Sequence, residues 1–277
     1  MAQAPKIDPM HKFLIQEVWP GPQFELFGLH FNMAITNSVI AMFVGAAAMV
    51  AFFLATARGQ LVPNRGQAVA EGLYNIVDRA LVTPIIGHHG RPYIPYLFTL
   101  FCVIFVLNLM GVVLSVGSLA GRTWTFTVTS QLAITATLAV LTFFSVVILG
   151  FIKHGPKFLT LFWIPGMGVL GGAAMVIIEM ISYFVRPITL AMRLFGNMLG
   201  GHVVLSLFGS FVVALGLTAF SGGFGLHNLA IVPGALSFAM IVALTGLELV
   251  VAFLQAFVFT VLATVYLNEV VNFGHGH

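Results

Sequence analysis

Uncharged apolar tracts recur along this chain, separated by short polar clusters, and their lengths predict its elements. A bilayer crossing needs about 20 consecutive apolar residues. Residues 33–57, "MAITNSVIAMFVGAAAMVAFFLATA", form the first such tract and follow an N-terminal segment of residues 1–32. The pattern then changes to helical alternation over residues 66–90. Val69, Leu73, Ile76, Val77, Ala80 and Leu81 recur at helical spacing, while Glu71, Asn75, Asp78 and Arg79 fall largely away from that stripe. This predicts an amphipathic helix lying at the membrane surface. Residues 93–121 and 123–152 are each long enough for a second and a third span, with Gly117, Gly121 and Arg122 marking the turn between them. "KHGPKF" closes the third.

Two longer tracts follow, residues 167–220 and 229–272, divided by the turn signal "SGGFGLHN". Only Pro187 interrupts the helical pattern of the first. Some 50 residues at about 1.5 Å each would reach roughly 75 Å, against a hydrocarbon core about 30 Å thick. The first tract is therefore either two helices with a hidden turn or one long, kinked and strongly tilted helix. The expected architecture is all-α: about five membrane-embedded helices, one surface helix, and a long tilted hairpin at the C-terminal end. No internal repeat is visible.

Composition supports this class. Of 277 residues, 60% are hydrophobic and 7% charged, where soluble domains average about 25% charged. The chain reads as one polytopic membrane domain within a lipid bilayer. The net charge of +3 provides no basic surface broad enough for nucleic acid. Cys102, the single cysteine, is expected to pack as a small apolar residue. "MAQAPKIDPMHKF" has no apolar core of a signal peptide. The loops at Arg58–Arg91 and Lys153–Lys157 hold six lysines and arginines, and the opposite side holds three, Lys6, Lys12 and Arg122. The positive-inside rule then places the N-terminus away from the cytoplasm and the C-terminus in it. Trp19, Trp124 and Trp163 flank the spans, as interfacial anchors do.

The chemistry concentrates in the two long tracts. On a helix, Glu179, Ser182, Arg186, Thr189, Arg193 and Asn197 share one narrow stripe, because their spacings are all three or four residues. Gly196 and Gly200 adjoin it and lower its relief, so another helix can come close. Arg193 is the puzzle. A guanidinium does not give up its proton, and burying one costs about 2.5–3.5 kcal/mol on insertion scales. Glu179 lies roughly 21 Å along the helix from it, too far to be a partner. An acid supplied by another subunit about 4 Å away would recover roughly 4 kcal/mol at an effective dielectric of 20. His202 falls on the opposite side of the helix, roughly 13 Å beyond Arg193. Glu248, Gln255 and Tyr266 form a second stripe on the last helix. Antiparallel packing of the two long helices would bring Glu248 toward His202.

"RPITLAMRLFGNMLGGH" (186–202) followed by "LELVVAFLQAFVFTVLATVYLNE" (247–269) resembles subunit a of the F-type ATP synthase membrane sector. The likeness is specific over the last hundred or so residues and extends more weakly through "FVLNLMGVV" and "DPMHKF". In that family, subunit a stands beside a rotating ring of proteolipid subunits, each carrying a carboxylate. Protons reach the ring by one half-channel and leave by another. The resemblance assigns the family's essential arginine to Arg193, its neighbouring asparagine to Asn197 and its last-helix glutamine to Gln255. Bacterial members often carry an acid at the position of His202 and a histidine at that of Glu248. This chain has the pair exchanged, which suggests that the two side chains act together as one proton relay. It also lacks the proline that often follows the family's Asn-Leu.

The resemblance thus implies a non-catalytic, proton-translocating stator subunit, with Arg193, His202, Glu248, Gln255 and Asn197 on the proton path. Glu179, Ser182 and Thr189 are candidates for the exit half-channel, and Asn108, Thr137 and Tyr266 for the uptake half-channel. The implied partners are the c-ring proteolipids, the peripheral-stalk b subunits and the soluble catalytic head, in a bacterial inner membrane. No phosphate loop of the GxxxxGK[ST] type occurs, and neither cofactor nor metal is expected; His88, His89, His275 and His277 read as solvated histidines. Plainer readings stay open at this level. Arg193 is also compatible with a structural ion pair, His202 and Glu248 with a buried hydrogen-bonded pair, and Glu179 with an interfacial acid. Arg186 would snorkel to headgroups, and Asn108 and Thr137 would join helices. For the whole chain, a secondary transporter holding an anionic substrate, or a structural scaffold, are the alternatives.

Overall fold

The computed structural model describes residues 17–19, 23–26, 29–32, 34–56, 62–118, 128–162, 169–221 and 231–272. The N-terminal "DPMHKF", Lys6, Lys12, Arg58, Arg122, Trp124, Trp163, His275, His277 and nearly all of the "SGGFGLHN" turn lie outside the described residues. Helices dominate. Among the described residues, five are long and apolar enough to cross a membrane, so the protein is an all-α, multi-pass membrane protein. Short strands add to this in the N-terminal segment. β1 (Glu17–Trp19) pairs antiparallel with β4 (Ile35–Thr36), and β2 (Gln23–Leu26) pairs with β3 (Leu29–Asn32).

The spanning helices are α1 (Asn37–Thr56), α4 (Ile94–Ser118), α5 (Leu132–His154), α6 (Val169–Ser221) and α7 (Ile231–Val271). Two shorter helices, α2 (Arg65–Asn75) and α3 (Thr83–Ile85), lie between α1 and α4. The third span begins at Leu132, nine residues later than the apolar pattern suggests. Thr129 and Ser130 occupy a separate short 3₁₀ turn instead, in keeping with the preference of hydroxyl side chains for turns and caps. Gly155 ends α5 with a left-handed φ of 57°, a conformation glycine adopts without strain, and Pro156 follows it. The first long tract resolves as a single helix. α6 runs 53 residues with Pro187 inside it.

The expected surface helix over 66–90 is not one regular helix. Asn64 caps α2 by accepting from the Arg65 backbone N–H at 2.7 Å. A π-helical turn, Ile76–Val82, then takes over, and a 3₁₀ segment, Gly87–Tyr93, leads into α4. The wider π turn moves the apolar face. Val77, Leu81 and Val82 are buried, whereas Val69 and Ala80 of the expected stripe are exposed. A regular helix would turn Val82 away from Val77; five-residue hydrogen bonding, seen from Thr83 N–H to the Asp78 carbonyl, keeps them on one side.

Contacts divide the chain into two compact units. One contains residues 1–46, 106–131 and 196–253. Within it, Ser38 donates to Gln131 Oε1 at 2.9 Å, and the Asn108 amide donates to the Ala252 carbonyl at 3.3 Å. Gly45 lets α1 approach α4: a Cβ there would stand 3.1 Å from both Leu107 and Met110. The other unit contains residues 47–105, 132–195 and 254–277. Its apolar centre joins Val146, Phe158, Tyr266 and Val270. Lys153 and His154, in the last turn of α5, bond the carbonyls of Val271 and Val270 at 2.9 and 2.8 Å. These contacts satisfy the otherwise orphaned C-terminal carbonyls of α7. Cys102 packs in the interior, buried among apolar residues.

Candidate functional site

The buried positions of α6 decide where its polar residues point. Tyr183, Leu190, Ala191 and Leu194 are buried in one unit, and Met198, His202 and Leu205 in the other. These positions recur at helical spacing and form the helix's inward stripe. His202 therefore occupies a place where the pattern otherwise puts an apolar residue. Arg193 and Asn197 lie off the stripe and are exposed, as is Thr189. A Cβ added at Gly196 or Gly200 would meet nothing within 4 Å, so both positions are open. The ion pairs seen along α6 join Arg186 to Glu179 and Glu269, and His202 to Glu248. None involves Arg193.

His202 and Glu248 are brought together inside the first unit. His202 Nδ1 stands 3.8 Å from Glu248 Oε1, and both side chains are buried, at 3% and 11% exposure. Both imidazole nitrogens and both carboxylate oxygens are shielded and make no hydrogen bond among the described residues. Gly201 creates the space. The Glu248 carboxylate occupies the space a side chain there would take, and a Cβ at that position would collide with Oε1. Sequence reading missed this glycine because its reason lies on another helix. Asn108, buried in the same unit, is tied to the Ala252 carbonyl, so it joins helices whatever else it does.

The second unit holds the other candidates. Gln255 is buried on α7. Ser182 is half-buried, and the Thr189 hydroxyl donates to the Arg186 carbonyl at 2.8 Å. Thr137 is exposed and its hydroxyl bonds its own helix at Ala133. Arg186 does not simply snorkel outward. Its guanidinium lies 3.2 Å from Glu269 Oε1 and 3.6 Å from Glu179 Oε1, beneath the rings of Tyr183 and Tyr266 at 5.9 and 5.3 Å. Tyr266, a candidate for the uptake half-channel, thus stands beside Arg186 and Tyr183. It shares a helical face with Glu248 but sits about five turns farther along α7. Glu269 went unnoticed in the sequence, although it falls three residues after Tyr266 on that same face. Among the described residues no group of three His, Cys, Asp or Glu side chains is arranged to hold a metal.

Comparison with known proteins places the chain in a family. Residues 38–268 match the family described as ATP synthase A chain. A protein of Azorhizobium caulinodans named ATP synthase subunit a is 43% identical over 272 residues, covering 97% of this chain and 99% of that one. One of Chelativorans sp. is 42% identical over 269 residues, covering 97% and 99%. Another, of Nitrobacter hamburgensis, is 40% identical over 273 residues, covering 97% and 100%. With the family matched across the spanning helices and relatives aligned from end to end, this chain belongs to the ATP synthase A chain family.

Proposed function

We propose that this chain moves protons through two offset half-channels to and from the carboxylates of a rotating ring, with Arg193 keeping the two routes apart. Its general role follows from its family: it is a non-catalytic, proton-translocating stator subunit of the ATP synthase. The observation that carries the finer reading is the exposed guanidinium of Arg193 on an apolar spanning helix, with no described carboxylate paired to it. Such a charge is costly in lipid and is stabilised if an anion of a neighbouring subunit passes it. The open positions Gly196 and Gly200 suit close approach by that neighbour.

In this reading the His202–Glu248 pair, with Gln255 and Asn197, hands protons from the non-cytoplasmic side to the ring. Buried polar atoms without hydrogen bonds are costly, and a pair that exchanges protons with a visiting donor gives them a use. Arg193 attracts the deprotonated ring carboxylate and repels a proton from crossing directly. Glu179, Ser182 and Thr189 line the way out to the cytoplasm. The N-terminus faces away from the cytoplasm and the C-terminus into it, in a bacterial inner membrane. The c-ring, the peripheral-stalk b subunits and the soluble catalytic head are its partners in the complex.

Site-specific photo-crosslinking tests the placement. A crosslinker at Asn197 in the assembled complex is expected to capture a small proteolipid subunit, while one at Ile152, exposed on α5, is not. Capture from position 152 and none from position 197 would overturn the reading.

A further inference from the structure

The ion cluster on the second unit contains two acids and one base. Arg186 gives its shorter contacts to Glu269, with Nη1 at 3.2 Å from Oε1 and 3.4 Å from Oε2. Glu179 stands farther off, 3.6 Å from Nη2, and is the more exposed carboxylate, at 42% against 34%. The two tyrosine rings, 6.4 Å apart, flank the guanidinium on one side. One positive charge thus faces two ionisable acids, and the acid from α7 holds it more closely.

We infer that Glu269 is a positioning residue for proton exit: by engaging Arg186 from α7 it keeps the guanidinium from closing on Glu179, whose carboxylate stays available to take up and release protons. This rests on the reading of Glu179 as an exit-route residue. Charge and geometry give the logic. A guanidinium pairs most strongly with a carboxylate when two of its nitrogens meet both oxygens; here Nη1 alone meets both oxygens of Glu269, which leaves Nη2 alone toward Glu179. Without Glu269 the remaining acid within reach is Glu179, about two turns earlier on α6. A closer pairing there, through two nitrogens, would favour the charged carboxylate and take Glu179 out of proton traffic. Glu269 touches no passing proton itself; its effect runs through Arg186.

ATP-driven proton pumping in inverted vesicles, normalised to assembled complex, tests this. Glu269→Gln is expected to lower pumping per complex roughly two- to fivefold, the rate factor that matches a partly exposed ion pair. Glu269→Asp should retain most activity. Glu269→Gln combined with Arg186→Gln should return to within about twofold of the native rate. In a Glu179→Gln background, adding Glu269→Gln should change nothing further. Full pumping by Glu269→Gln beside an impaired Glu179→Gln would overturn the inference, as would a further loss in the double variant. Native pumping by Glu179→Gln would instead remove the exit-route reading beneath it. If Glu269→Gln alone fails to assemble, the Arg186→Gln/Glu269→Gln protein decides: activity as low as that of Glu179→Gln contradicts the inference.

Discussion

Gly201 is the smallest side chain at the site and among the most constrained. The Glu248 carboxylate lies where its Cβ would be, so Gly201→Ala must displace that carboxylate from its place beside His202. A misplacement of about 1 Å near reacting groups can cost up to about a hundredfold. Proton pumping by Gly201→Ala is therefore expected to fall at least about tenfold with the complex intact, measured by quenching of a pH-sensitive dye in vesicles. The pair itself makes a second prediction. Placing Glu at 202 and His at 248 together should preserve more pumping than His202→Ala or Glu248→Ala. Equal loss in all three would argue against a paired relay. At this scale the sequence announced its charges well, because an arginine or a buried acid stands out in an apolar tract. It did not announce Glu269 as the partner of Arg186, since that contact joins α6 to α7 and no spacing on either helix alone contains it.

The helices depend on a few punctuating residues. Lys153 and His154 close the C-terminal end of α7 from the last turn of α5. A cation at a helix C-terminus contributes about 0.3–1 kcal/mol. Lys153→Met should destabilise the detergent-solubilised protein by about that amount in thermal unfolding; an unchanged midpoint would contradict the contact. The element pattern was legible where one apolar periodicity ran unbroken, as in α1, α4 and α7. It was not legible in two places. In residues 66–90 a π turn changes the period itself, so the regular stripe fails at Val69 and brings in Val82. In α6, Pro187 removes one backbone donor yet the helix continues. In lipid an interrupted backbone has no water to satisfy it, so continuing the helix leaves fewer groups unmatched than a turn would.

Five helices among the described residues that are long and apolar enough to span, with a family match over residues 38–268, define a membrane subunit, and the chemistry proposed for it separates two routes. The apolar composition alone revealed the class of molecule, because few soluble chains carry so little charge. The strand pairs of the N-terminal segment were hidden, being too short to set up a period. What the separation of routes must protect is the proton-motive energy, about 2.3 kcal/mol per proton for each 100 mV. An opening beside Arg193 would dissipate it. The most direct measurement compares ATP-driven pumping with passive proton leak in the same vesicles carrying Arg193→Ala. Pumping should vanish while leak through the membrane sector persists or rises, since the barrier is gone but both routes remain. Native pumping with no added leak would contradict the account.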